Sequence, residues 1–126
     1  MKLRHPIATA RGIGSAQGGV EHWWAQRWNS VVLIVLTPWF LWFVLASLGA
    51  DQATVRALLA QPWHAVLMLV FVGMLFWHSM LGLQVVIEDY VHTAWLEWTL
   101  HMVNRLVCLL ATLAAVVAIG RIAFAA

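Results

Sequence analysis

The 126-residue chain is 63% apolar and only 10% charged, with a formal net charge of +2. Soluble domains average roughly half apolar and a quarter charged, so this composition excludes an ordinary water-soluble domain and makes lipid the expected solvent. So small a positive charge, with no Lys/Arg run interleaved with aromatics, also excludes a nucleic-acid-binding surface. The single cysteine, Cys108, lies in an apolar run. It can form no internal disulfide and reads as a small core or lipid-facing residue.

The N-terminal stretch, Met1 to Val20, carries Lys2, Arg4 and Arg11 and no acid. It has no apolar segment of the kind a secretory signal requires, and its Gly-rich portion from Gly12 to Gly19 makes a poor amphipathic helix. It reads as a flexible cytoplasmic segment. The chain then divides into an N-terminal segment, 1–27, and a transmembrane domain, 28–126.

A bilayer core of ~30 Å needs about 20 helical residues. Three stretches supply them: Trp28 to Leu48, Ala65 to Ile87, and Trp98 to Ile119. Apolar runs of this length without period-2 alternation satisfy their backbone hydrogen bonds internally, so the fold class is all-α, an up-down-up bundle of three transmembrane helices. The polar links between them, Gly49 to Pro62 and Glu88 to Glu97, read as short loops. Pro38 inside the first span is expected to kink it.

Lys2, Arg4, Arg11 and Arg27 precede the first span, whereas only Arg56 lies between the first two. The positive-inside rule therefore places the N-terminus in the cytoplasm, the Glu88 to Glu97 link on the same side and the C-terminus outside. Six of the nine tryptophans, Trp23, Trp24, Trp28, Trp63, Trp95 and Trp98, fall near span boundaries, where tryptophan commonly anchors to the interface.

Lipid alone does not account for the segment from His78 to His92. A histidine near mid-span is expensive unless it faces protein, water or a cofactor. His78, Gly82, Val85 and Asp89 share one helical stripe, and Gly82 leaves room beside the imidazole for a flat macrocycle or a close helix. On spacing alone, an axial haem ligand and an interhelical hydrogen bond both account for His78. Asp89 and Tyr90 lie about 12 residues, or ~18 Å, beyond His78 at the cytoplasmic boundary, where Arg27 is also expected. A carboxylate, a phenol and a guanidinium converging beside an apolar bundle suit a quinone, whose carbonyl oxygens accept hydrogen bonds and take up protons on reduction. A capped helix end with a headgroup-level salt bridge accounts for the same residues.

His64 lies nearly four turns before His78, a spacing of ~21 Å that would also suit a two-haem cytochrome b. The second ligand pair has no source, because none of His5, His22, His92 and His101 sits well within a span. His64 is therefore assigned a structural role at the outer interface. Arg105 is expected to snorkel, and Asn104 to hydrogen-bond across helices. A small proton-coupled transporter would require a mid-span acid, and Glu88 and Asp89 lie at the boundary instead.

Taken together, these segments resemble the small hydrophobic anchor subunit of succinate dehydrogenase, respiratory complex II. The stretch Gly14-Ser15-Ala16-Gln17-Gly18-Gly19-Val20-Glu21-His22-Trp23-Trp24-Ala25-Gln26-Arg27 is similar to the family's Gly-Ser-Ala, His-Trp and Gln-Arg segment before span one. His78, Gly82, Gln84 and the Asp89-Tyr90-Val91 end match its His-x-x-x-Gly stretch leading to Asp-Tyr. The resemblance implies that His78 is an axial ligand of one b-type haem, with the second histidine on a companion large anchor subunit. It implies that Tyr90 hydrogen-bonds a ubiquinone carbonyl with Asp89 beside it, and that Arg27, with His22 less securely aligned, lies near the haem propionates and quinone pocket. Flavoprotein and iron–sulfur subunits would complete the enzyme, since this chain has neither a cysteine cluster nor a dinucleotide fingerprint. The expected location is the bacterial inner membrane. A haemless anchor of the same layout, and a fumarate reductase working in the opposite direction, are the alternatives within the same architecture.

Overall fold

A computed structural model describes the backbone of residues 16–124, with side chains from Val20 onward except that of His22. Lys2, Arg4, Arg11 and the Gly14-Ser15 pair lie outside the described residues. Four helices follow in order: α1 (Ala16–Ser47), α2 (Gln52–Ala60), α3 (Pro62–Tyr90) and α4 (Ala94–Phe124). Among the described residues there is no strand, and α1, α3 and α4 each contain a segment long and apolar enough to cross a membrane.

These helices outrun the apolar windows that announce them. α1 continues N-terminally through Val20 to Arg27, and α4 starts at Ala94, four residues before Trp98. Hydropathy marks where lipid must be met, whereas helical hydrogen bonding continues into the polar flanks. His101, near the start of the third expected span, sits inside α4. The link between the first two spans also differs from a plain loop, because it contains α2. Asp51 caps that helix, its Oδ1 accepting from the backbone N–H of Thr54 at 3.1 Å. Leu58 and Leu59 turn inward from α2 to pack on Phe43, Met68 and Ile119. Pro62 then occupies the first turn of α3, where its missing N–H costs nothing.

The hydrogen bonds from Thr54 hold the Asp51 carboxyl below its ordinary value. Because the folded state depresses this pKa, the cap's contribution is present above the ordinary carboxylate range and lost as pH falls through the folded value. Hydrogen exchange at the Thr54 amide is therefore expected to accelerate in acid beyond its intrinsic pH dependence, and Asp51→Ala is expected to remove that dependence.

α3 is the central helix: α1 and α4 both pack on it and touch each other little. α1 runs antiparallel to α3, with Phe40 stacked on Phe71 at 4.4 Å near the α2 end and Asn29 meeting Met74 further along. α4 is joined to α3 by Asn104, whose Nδ2 donates to the Met80 carbonyl at 2.9 Å, while Cys108 Sγ contacts Asn104 Oδ1 at 3.6 Å. The expected cross-helix role of Asn104 is thus seen, and Cys108 is buried. Six hydroxyls, on Ser30, Thr37, Ser47, Ser79, Thr99 and Thr112, donate to carbonyls four residues earlier at 2.6–2.9 Å. Each is satisfied within its own helix, as a water-free environment demands.

Only 6% of the apolar window of α1 is buried within the chain, against 17% for α3 and 11% for α4. The exposed remainder must be covered by lipid or by other chains, since apolar faces of this extent do not face water.

Candidate functional site

α1 and α3 meet at Asn29 and Met74 and enclose an open cleft beside that contact. Ser30, Leu33, Ile34, Thr37 and Pro38 of α1 and His78 of α3 line it, with a volume of about 440 Å³. Because the hydroxyl protons of Ser30 and Thr37 are committed to the Gln26 and Leu33 carbonyls, the wall offers no free hydroxyl donor. His78 has a defined polarity: Nδ1 is buried and has no hydrogen-bond partner, whereas Nε2 is the ring nitrogen left accessible. One turn on, a Cβ added at Gly82 would meet nothing within 4 Å. The stripe that holds His78 and Gly82 therefore keeps open space around an imidazole that can offer Nε2 to a group arriving from outside the chain.

Asp89 and Tyr90 end α3, and both side chains are exposed, Tyr90 at 79%. Arg27 is exposed on α1, with its guanidinium carbon 4.7 Å from the Trp23 ring centroid, a cation–π contact. Among the described residues no hydrogen bond or ion pair joins Arg27 to Asp89 or Tyr90. His22 lies in α1, and its side chain is outside the described set.

A titratable group beside the Asp89-Tyr90 end was missed by sequence reasoning. His101 Nε2 lies 3.9 Å from Glu88 Oε1 and 4.0 Å from Glu97 Oε1, and Gln84 Nε2 donates to Glu88 Oε1 at 2.9 Å. The i,i+4 spacings of Gln84 with Glu88 and of Glu97 with His101 were the available signal. Asn29 was missed as well: it is 3% exposed and donates from Nδ2 to Met74 Sδ at 3.3 Å. An amide at the second residue of the first span was its only mark.

His64 occupies the opposite end, buried at 5% exposure among Trp39, Trp42, Phe43 and Trp63, with ring centroids 5.7–6.0 Å away. This aromatic box fills the corner where α1 and α3 converge. His64→Ala is expected to leave a cavity costing about 2 kcal/mol or more, read as a lower unfolding temperature in detergent.

Comparison with known proteins bears on what the cleft is for. The sequence profile of the family described as succinate dehydrogenase/fumarate reductase transmembrane subunit matches residues 1–119. The chain belongs to this family. It is 35% identical over 117 residues to the succinate dehydrogenase hydrophobic membrane anchor subunit of Rickettsia bellii, covering 93% of this chain and 94% of that one. The subunit of the same description from Rickettsia typhi is 33% identical over 113 residues, 90% of each chain. That from Paracoccus denitrificans is 34% identical over 90 residues, 71% of this chain and 70% of that one. No solved structure matches the chain with significance.

Proposed function

We propose that this chain is the hydrophobic membrane anchor of a bacterial succinate:quinone oxidoreductase and that it ligates one b-type haem through His78 Nε2. The observation that carries the reading is the polarity of His78 in its cleft: one ring nitrogen buried, the other accessible, beside apolar walls and the open space at Gly82. A haem requires such a slot and a neutral imidazole nitrogen. The second axial histidine would come from a companion large anchor subunit seated against the exposed face of α1 and α3.

The haem, when bound, supplies one-electron transfer. The chain's own residues bind and orient. Leu33, Ile34 and Pro38 would exclude water from the ring faces, and Arg27, exposed on α1, would supply a positive charge suited to carboxylate side groups. Tyr90 donates a hydrogen bond to a ubiquinone carbonyl, with the Asp89 carboxylate beside it at the boundary. The N-terminal segment 1–27 lies on the cytoplasmic side and the C-terminus on the periplasmic side of the inner membrane. Flavin and iron–sulfur chemistry reside on partner subunits, and the chain docks them at the lipid surface.

The test is purification of the intact complex through a tag on this chain, identification of the bound subunits and a reduced-minus-oxidised spectrum. Three partner subunits and one b-haem are expected. A complex with the partners but no haem would leave the anchor function and overturn the ligand assignment.

A further inference from the structure

We infer that the side-chain carbonyl of Asn29 is the acceptor for the Nδ1–H of His78, directly or through one water, and so sets the tautomer and orientation of the haem ligand. The inference rests on the proposed haem-binding role of His78 and adds a residue to it. It starts from two buried atoms without partners, one on each of the packed helices α1 and α3: Asn29 Oδ1 and His78 Nδ1. An amide oxygen can only accept, and an imidazole that offers Nε2 to a metal must carry its proton on Nδ1 and donate it. The orphans are therefore complementary. Leaving either unsatisfied in a buried, water-poor interface is unfavourable, which is why buried polar atoms are nearly always paired.

Their placement supports the pairing. Asn29 Nδ2 is committed to Met74 Sδ at 3.3 Å, and Met74 lies one turn before His78 on the same stripe of α3. This bond fixes the amide plane and leaves Oδ1 as its free end. Ser30, the next residue of α1, lines the cleft that holds His78. Metal-bound histidines regularly donate their second N–H to such a partner, which fixes the ring and raises its basicity.

The distinguishing measurement is the haem midpoint potential in the purified complex, beside haem content per complex. Asn29→Leu keeps the approximate volume and removes the acceptor. A less basic imidazole favours the ferric state less, so the potential is expected to rise, by about tenfold in the one-electron equilibrium or ~59 mV. Asn29→Gln, which returns a carbonyl, is expected to recover part of that shift. Asn104→Leu, which removes the other buried interhelical amide bond, is expected to leave the potential unchanged. An unaltered potential in Asn29→Leu, an equal shift in Asn104→Leu, or loss of haem from both Asn29 variants would overturn the inference, because packing rather than the carbonyl would then be what position 29 supplies. Failure of the underlying reading is seen separately, as absence of haem from the wild-type complex or its persistence in His78→Ala.

Discussion

Replacing His78 with alanine is expected to yield an inserted, assembled complex whose b-haem content falls on the order of tenfold or more. The variant removes the only side chain in the α1–α3 cleft with an accessible ligating nitrogen. Removal of a partner that merely orients a metal ligand already costs 10–100-fold in affinity, so loss of the ligand itself should cost at least as much. Insertion should survive, because exchanging an imidazole for a methyl group lowers the cost of placing this turn in lipid. Haem per complex and the reduced-minus-oxidised spectrum give the readout, with subunit stoichiometry from the same preparation as the control. His64→Ala should retain its haem while losing stability. The two histidines are four turns apart, and the aromatic box around His64 leaves its Nδ1 buried. Haem loss from His64→Ala alone would mean that their roles are exchanged.

The fold was legible where one physical constraint dominates. Length and hydropathy require three spanning helices in lipid, and the resemblance carried by His78, Gly82, Asp89 and Tyr90 led to the family that the sequence profile matches. Helix ends were less legible, because polar residues such as Glu21, Arg27 and Glu97 extend a helix without extending its apolar window. α2 was hidden for a related reason: nine residues with Arg56 and Gln52 among the apolar ones look like a link until Asp51 caps them. Side-chain partners across helices were the least accessible, since they depend on register. Sequence spacing placed Arg27 and Tyr90 at one boundary. Among the described residues no hydrogen bond or ion pair joins the two, and the cross-helix pairing of Asn29 with Met74 is one that no local pattern encodes.

Tyr90 offers the sharper separation of chemistry from assembly. Its side chain ends α3 at 79% exposure and makes no hydrogen bond among the described residues. Tyr90→Phe removes the proposed donor to a quinone carbonyl and keeps the ring, so subunit assembly and haem content should match wild type. A lost hydrogen bond costs on the order of 1 kcal/mol, and more when the quinone oxygen is left buried without a partner, which makes a several-fold fall in quinone reductase activity the expected result. Succinate oxidation by a soluble artificial acceptor should persist, because the succinate site belongs to another subunit. The informative quantity is therefore the ratio of quinone-dependent to artificial-acceptor activity in one preparation. A wild-type ratio would make Tyr90 an interfacial aromatic and remove the quinone contact from this chain. Equal loss of both activities with intact haem and stoichiometry would also count against it, since a donor to quinone has no route to the flavin site.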